Sequence, residues 1–354
     1  MDFGMATKPD FAKAAARWDR FWQGEHPQPL IAAVLPKEGV TEIPKPSTYA
    51  LGPDLDPVAF AEQTVGWAET HDFLGAAIPF VYLEFAADQF STFLGADLSF
   101  PSPGEGGWPI HPYADCPLAD VHIQFQPSGI WWQRIAELAE TIQQRAGDGV
   151  LIASPTLVAN LDSLVALRGA QTVLMDLMDS PDEVQRLLGE ITAAHGEILA
   201  AFADLLHYRE RGCINRHGMY STGAINVPQC DFSCMISPAM FDEFVLPCLR
   251  EEFARFGGGE YHLDGPDAIR HLDSLCSLDD LHVIQWVAGA GDTRRDWSDL
   301  YRRIDRLGKG KILSGSRQQL DRWVEEFTAG RLFWAGLGRA SRAEVEQTLS
   351  DYSW

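Results

Sequence analysis

The sequence lacks a cysteine framework, a long apolar run and an excess of basic residues. Its six cysteines are scattered over 354 residues, a pattern that fits a reducing compartment better than secretion. Residues 1–19 contain no apolar signal-peptide core, and no stretch reaches the apolar length of a membrane span. We therefore expect a soluble, cytoplasmic protein that does not bind membranes.

Basic residues are outnumbered by acidic ones, 28 to 50, and the formal net charge is −22. A surface that follows nucleic-acid phosphates needs clustered lysine and arginine, so we expect no nucleic-acid partner. The fingerprints of phosphate-binding loops, dinucleotide-binding folds and serine hydrolases are also absent. These absences leave the chemistry to be inferred from polar residues at the ends of predicted strands.

Short apolar runs alternate with amphipathic helical segments along the chain. Two strands are predicted early, at 30–35 and 76–82, and six strand–helix units follow residue 149. These later strands lie at 150–154, 212–215, 260–263, 281–286, 312–314 and 332–335. Eight alternating units predict an α/β fold, with residues 1–354 forming a single (β/α)8 TIM barrel. Residues 87–128 fit no unit and predict a long loop insertion after the second strand that covers the active site.

The strongest predicted helix begins at Ser180-Pro181-Asp182-Glu183. This segment offers an N-cap serine, a proline at the first helical position and a capping-box glutamate. Its apolar positions repeat with helical spacing and predict one buried face. They are Val184, Leu187, Leu188, Ile191, Ile198, Leu199 and Phe202.

The segment Tyr261-His262-Leu263-Asp264-Gly265 closes a predicted strand and is the main candidate for chemistry. Residues i and i+2 of a strand point to the same side, so an imidazole and a carboxylate are presented together at the barrel mouth. They could ligate a divalent ion or act as an acid–base pair. The competing interpretation is that His262 is a packed core histidine and that Asp264 caps the following helix.

Other strand ends supply further candidates. Asp231 and His217 are predicted to take part in catalysis or metal binding, although His217 could equally be a hydrogen-bonded structural residue. Cys230 is a third candidate metal ligand beside His262 and Asp264, although a free cysteine is commonly a small buried residue. The predicted substrate-binding residues are Tyr82, Glu84, Trp108, Asn160, Gln285, Trp286 and Arg339.

Three stretches together resemble the uroporphyrinogen decarboxylase superfamily, which includes cobalamin-dependent methyltransferases. The first is Leu167-Arg168-Gly169 with the segment 174–181, and the second is 235–247, which contains Ser237-Pro238. The third is His262-Leu263-Asp264-Gly265, similar to the strand-end His-x-Cys-Gly or His-x-Asp-Gly of these proteins. The resemblance covers residues 150–290 well and the first half only in outline.

Two departures bear on the activity that the resemblance implies. Residues 1–36 carry no arginine-rich motif like that of the decarboxylases proper, and a tetra-anionic porphyrinogen suits this acidic chain poorly. Asp264 also stands where the zinc methyltransferases have cysteine, and residues 334–338 lack their later cysteine. A thiolate-rich zinc site is excluded there, which leaves a harder site of His262 and Asp264 with His217, Asp231 or Glu84.

The resemblance implies a methyl-transferring enzyme that acts with a corrinoid protein or on a small methylated compound. A divalent metal such as zinc would be its cofactor, and the alternative is acid–base chemistry by the same residues. A second possibility is a metal-assisted lyase, decarboxylase or hydrolase of a small polar or sugar-like substrate. A third is a non-catalytic barrel that binds a ligand, because fold alone does not fix activity. The oligomeric state is not fixed by the sequence, and a homodimer is left open.

Overall fold

The structure, a computed structural model, describes residues 4–289 and 295–354. Its strands are β1 (Leu30–Pro36), β2 (His71–Gly75), β3 (Phe80–Tyr82), β4 (Asp97–Ser99), β5 (Trp108–Ile110), β6 (Leu151–Ala153), β7 (Cys213–Ile214), β8 (Tyr220–Ser221), β9 (Glu260–Asp264), β10 (Val283–Val287), β11 (Gly310–Leu313) and β12 (Leu332–Trp334).

Helices separate most of these strands. They are α1 (Phe11–Trp22), α2 (Thr48–Leu51), α3 (Pro57–Thr70), α4 (Gln89–Thr92), α5 (Ile130–Ala146), α6 (Leu161–Arg168), α7 (Ala170–Asp179), α8 (Pro181–Leu205), α9 (Tyr208–Arg211), α10 (Pro238–Met240), α11 (Leu246–Phe253), α12 (Leu272–Cys276), α13 (Ser298–Arg306), α14 (Arg317–Glu326) and α15 (Arg342–Asp351). Two 3₁₀ segments, Asp231–Met235 and Pro266–His271, lie beside the candidate site. In the described part of the chain, no helix has the length and apolar character that crossing a bilayer requires.

The main sheet has six strands in the order β2-β1-β12-β11-β10-β9. In this order, the five neighbouring strands β1, β12, β11, β10 and β9 pair in parallel. Strand β2 runs antiparallel to β1. A second parallel pair joins β3 to β6, and β7 pairs antiparallel with β8. This is a mixed α/β fold with a parallel sheet, as the alternating apolar runs predicted. The hydrogen bonds among the described strands form separate sheets, and they do not by themselves close a barrel.

The structure corrects the prediction for the early strands. Residues 76–82 were expected to form one strand, but only Phe80–Tyr82 does, and the unpredicted β2 precedes it. The chain reverses at Gly75, which has φ +62, and a Cβ there would lie 2.2 Å from the carbonyl oxygen of Ile31. The buried Lys8 ammonium fixes β2 by donating to the carbonyls of Phe73 and Gly75 at 2.8 and 2.9 Å. The insertion at 87–128 therefore follows the third strand.

Residues 87–128 also differ from a plain loop, because they contain α4, β4 and β5. The backbone N–H of Gly107 donates to the carbonyl of Phe85 at 2.8 Å, which holds the β4–β5 hairpin against the end of β3. The buried Arg168 guanidinium bonds to the carbonyls of Tyr113 and Cys116 at 2.9 and 3.0 Å. The central part of the insertion is thus fixed to the rest of the protein by these contacts, and its role in covering the active site stays a prediction.

Helix α8 confirms its predicted start and its buried face, but not its cap. It begins at Pro181, and all seven apolar positions predicted to face inward are buried. The Ser180 side chain makes no capping hydrogen bond, because its backbone has φ −145 and ψ 52. Glu183 pairs with Arg186 at 2.8 Å instead of closing a capping box. Packing of the apolar face, rather than the cap, stabilises this helix.

Candidate functional site

Strand β9 presents alternate side chains to two environments. Tyr261 and Leu263 are each only 1% exposed and pack into the core, while His262 and Asp264 are half-buried on the other face. Candidate ligand atoms of His262, Asp264 and Asp231 all lie within 4.8 Å of one another. The period of two in the strand thus brings together the pair that the sequence predicted, and Asp231 joins it from a different segment.

The imidazole of His262 is oriented by the neighbouring strand. Gln285 of β10 lies in register with His262, and its side-chain Oε1 accepts a hydrogen bond from Nδ1–H. This bond leaves Nε2 without a proton and able to act as a ligand. Burial, and then the positive charge of Arg216, lowers the pKa of His262 to about 4. The ring is therefore neutral at neutral pH, which is the form that binds a metal.

Asp264 does not cap the helical segment that follows it. Gly265 occupies the N-cap position, and no side chain caps this segment. The Oδ1 atom of Asp264 is buried, and within residues 4–289 and 295–354 it has no hydrogen-bond partner. Burial also raises the pKa of this carboxyl. A buried carboxylate oxygen without a partner is costly, and a bound cation would satisfy it.

Asp231 is placed by a second carboxylate. Asp162, in the first turn of α6, accepts hydrogen bonds from the backbone N–H groups of Asp231 and Phe232 at 2.8 and 2.9 Å. Part of the Asp231 side chain is open to solvent, but its carboxyl sits in a crowded acidic cleft. Burial and the negative charges of Asp162 and Asp264 raise its pKa to about 8. A cation beside Asp231 would offset the repulsion that Asp162 and Asp264 exert on its carboxylate.

His217 forms a carboxylate–imidazole pair behind the cluster. Its Nδ1–H donates to Oε1 of Glu260 at 2.5 Å, and Asn215 donates to Oε2 of the same carboxylate. Glu260 is fully buried, whereas the His217 side chain is 23% exposed. The His217 and His262 ring centroids are 6.4 Å apart. Glu260 therefore fixes the His217 tautomer, and within the described ranges Nε2 has no hydrogen-bond partner, so it can accept a proton.

A polar network connects the ends of β3, β6 and β7 to the cluster. Arg216 donates from Nη1 to Thr156 Oγ1 at 3.0 Å and from Nη2 to Gln229 Oε1 at 2.9 Å. Thr156 also bonds to the Tyr82 hydroxyl at 2.7 Å, and its backbone N–H donates to Glu84 at 2.8 Å. The predicted residues Tyr82 and Glu84 are thus linked by hydrogen bonds through Thr156 to Arg216, and substrate binding by them stays a prediction.

Three further predicted residues are buried and are not among the three ligands of the cluster. Cys230 is buried and its thiol bonds to Asp162, outside the three-ligand group. Asn160 is fully buried, and its side-chain amide donates hydrogen bonds to the Gln229 carbonyl and to Glu252 Oε1. Trp286 is buried against Trp297.

Two other predicted substrate contacts are exposed. Trp108 lies on the β4–β5 hairpin with 61% of its surface accessible, and Arg339 lies in the segment between β12 and α15. Neither belongs to the three-ligand group. Substrate contacts by these two residues stay predictions.

Sequence reasoning missed four residues of the site: Arg216, Thr156, Gln229 and Glu260. The signal for Glu260 was present, because it lies two residues before His262 and the period of a strand places both on one face. Arg216 also stood next to the predicted His217. Gln229 and Thr156 carried no signal, because they reach the site from irregular segments whose path the sequence does not reveal.

The bond from His262 to Gln285 leads to a direct prediction. Replacing Gln285 with leucine removes the acceptor that fixes the imidazole tautomer, so zinc affinity should fall about 10- to 100-fold. Gln285→Glu keeps an acceptor oxygen and should restore most of the affinity. The measurement is competition against a chromophoric zinc chelator, and equal affinity of the leucine variant and the wild type would contradict the proposed orientation.

Comparisons with known proteins agree with this architecture. No protein-family model matches the chain, and no curated protein matches its sequence. Among solved structures, a methyltransferase from Methanosarcina mazei superposes with a TM-score of 0.58 at 12% sequence identity. The superposition covers 96% of this chain and 97% of that chain. At this identity the likeness shows the fold alone: the chain shares the mixed α/β architecture of that methyltransferase over nearly its whole length.

Proposed function

We propose that this protein is a methyl-transferring enzyme that binds a divalent cation through Asp231, His262 and Asp264. The observation that carries the proposal is the convergence of these three ligand atoms within 4.8 Å at the ends of the parallel strands. Strand ends of this kind are where α/β enzymes place their chemistry. The structural similarity to a methyltransferase, which extends over nearly the whole chain, supports the choice of reaction.

The donor set fits a divalent ion. Two carboxylates and one neutral imidazole suit zinc and harder divalent metals, and no thiolate is needed. The unpartnered Oδ1 of Asp264 is an atom that a cation would satisfy. When bound, the ion would supply a Lewis acid that lowers the pKa of an acceptor thiol or hydroxyl.

The chain's own residues have separate roles in this reaction. Gln285 orients His262, and Asp162 holds the turn that carries Asp231. His217, oriented by Glu260, receives at Nε2 the proton that the acceptor loses. The methyl group moves to the acceptor atom, and the donor keeps the electron pair of the broken bond. Positioning of the two reactants supplies much of the rate enhancement.

The wider assignment follows from the same proposal. The sheet sets fit a closed (β/α)8 barrel in which β9 lies next to the segment 228–231, where a single parallel bridge links Gln229 to His262. Such a barrel with a His-x-Asp-Gly strand end supports membership of the uroporphyrinogen decarboxylase-like superfamily without porphyrinogen as substrate. We include in the proposal a cytoplasmic location and a corrinoid protein as the methyl carrier.

Methylcobalamin and a panel of small thiols test the proposal directly. The zinc-loaded wild type should demethylate the corrinoid, as followed by its absorbance, and Asp264→Ala should reduce the rate at least about 100-fold because a ligand is lost. Asp267→Ala is the matched control, since Asp267 is an exposed acid three residues further on. Equal rates in Asp264→Ala and wild type, or no transfer with any acceptor, would contradict methyl transfer.

One observation favours a second candidate function. The Glu260–His217 pair beside a cation site is also suited to a metal-assisted lyase, decarboxylase or hydrolase of a small polar or sugar-like substrate. Turnover of such a substrate without any methyl donor would support this candidate. Ligand binding without turnover would instead indicate a non-catalytic barrel.

A further inference from the structure

Arg216 carries a charge that no contacting side chain neutralises. Its hydrogen bonds go to neutral partners, which are Thr156 Oγ1, Gln229 Oε1 and the Tyr82 side chain. Within residues 4–289 and 295–354, no carboxylate oxygen lies within 4.0 Å of the guanidinium nitrogens. The Nε atom is buried and has no partner in the same ranges. Arginine stays charged in proteins, and enclosed charges are normally paired.

The nearest carboxylates are committed to other donors. Glu84 accepts from the backbone N–H of Thr156 at 2.8 Å, and Glu260 accepts from His217 and Asn215. They act on Arg216 only through space. Each Nη nitrogen carries two N–H groups, so these four donors exceed the three neutral partners Thr156, Gln229 and Tyr82. The guanidinium therefore keeps donors and charge for a further partner, and its planar fork matches an oxyanion.

Arg216 lies close to the metal-ligand cluster. Gln229 accepts from Arg216 and donates from Nε2 to Asp231 Oδ2 at 3.1 Å, so one side chain separates the guanidinium from a proposed ligand. Arg216, His217 and Gly218 are consecutive half-buried residues in a part of the chain where the flanking Asn215 and Met219 are buried. The loop after β7 is therefore partly open to solvent next to the cluster.

We propose that Arg216 binds an oxyanion of the substrate, such as a carboxylate, while the reacting atom of the same small molecule lies at the Asp231–His262–Asp264 cluster. Oxyanion binding by Arg216 does not depend on the proposed function. The position of the reacting atom at the cluster does depend on it. The inference narrows the substrate to small molecules with one anionic end. It also makes Arg216 a specificity-determining residue, because a neutral analogue would leave the guanidinium unpaired.

Anion binding to the metal-free protein tests the inference separately from metal chemistry. Acetate, inorganic phosphate and the neutral analogue acetamide serve as probes, and calorimetry measures their affinity. We expect the wild type to bind at least one anion and to ignore acetamide. Arg216→Gln should weaken that binding about 10- to 100-fold, as loss of a charge-assisted hydrogen bond predicts. Arg216→Lys, which keeps the charge, should lose less.

The matched control is Arg250→Gln, because Arg250 is exposed on α11 and away from the site. It should bind the anion as the wild type does. Equal anion affinity in Arg216→Gln and wild type, or no anion binding by the wild type, would overturn the inference. Zinc binding measured on the same variants separates the two proposals. Loss of zinc as well as anion in Arg216→Gln would also overturn the inference, since the residue would then serve the metal cluster.

Discussion

Replacing His262 with alanine should lower the zinc affinity of this protein more than about 100-fold. Loss of a residue that only orients a ligand typically costs 10- to 100-fold, and loss of the ligand itself should cost more. His262 would supply the one nitrogen donor of the cluster, and its Nε2 is prepared for that role by the bond to Gln285. Competition with a chromophoric chelator measures the change.

A matched histidine replacement separates this effect from a general loss of histidine. His122 is 75% exposed and contacts Glu190 far along the chain from the site, so His122→Ala should bind zinc as the wild type does. Circular dichroism of each variant confirms that it is folded. Unchanged zinc affinity in His262→Ala would end the metal-site proposal, because the cluster would then be an acidic cleft without a ligand role.

The second large effect concerns stability and pH, and it arises at Glu252. This residue is fully buried on α11, and its Oε1 accepts from the Ala159 N–H and from Asn160 at 3.2 and 3.3 Å. Its Oε2 has no partner among the described residues. Burial raises the pKa of this carboxyl to about 8. The folded protein therefore holds a proton at neutral pH that the unfolded chain has lost.

The sign of the pH dependence follows from that difference. Between the unfolded pKa of 4.5 and the folded pKa of about 8, unfolding releases a proton and is favoured by rising pH. The free energy of unfolding of the wild type should fall by about 1 kcal/mol per pH unit in this window, relative to Glu252→Gln. Below pH 4.5 and above pH 8 the difference between the two proteins should become constant.

Urea unfolding of wild type and Glu252→Gln at pH 5.5 and pH 8 measures this change, with a ΔΔG of a few kcal/mol expected between the two conditions. The glutamine keeps an acceptor oxygen for Ala159 and Asn160, and other titrating groups cancel between the two proteins. Glu251→Gln, at the exposed neighbouring position, should show the same difference from wild type at both pH values. A pH-independent difference for Glu252→Gln would show that the buried carboxyl is not protonated.

The sequence predicted those parts of the fold and site that depend on local periodicity. Strand β9 and the buried face of α8 were predictable, because a period of two or 3.6 residues is set by the backbone itself. The same rule placed His262 and Asp264 side by side. The antiparallel strand β2 was not predictable, since Lys8 fixes it through contacts about 65 residues away in the chain.

The sequence predicted the contacts between side chains less well than the secondary structure. Cys230 and Asp231 were both candidate ligands, and only Asp231 belongs to the group of three in the described part of the chain, because the carboxylate of Asp162 engages the Cys230 thiol and the turn after it. A one-residue distinction of this kind depends on the backbone direction in a 3₁₀ segment, which composition and spacing do not fix. Asn160 was predicted to bind substrate, and its amide donates to the Gln229 carbonyl and to the buried Glu252, partners that spacing along the chain does not reveal.

A cation bound at the cluster would join two segments of the chain at the edge of the main sheet. Strand β9 is the last strand of that sheet, and its described backbone link to the preceding segment consists of the bridge from Gln229 to His262 and the bond from His262 N–H to the Pro228 carbonyl. Asp231 stands on one side of this seam, and His262 and Asp264 stand on the other. A cation held between them would cross-link the two segments and oppose their separation by mass action.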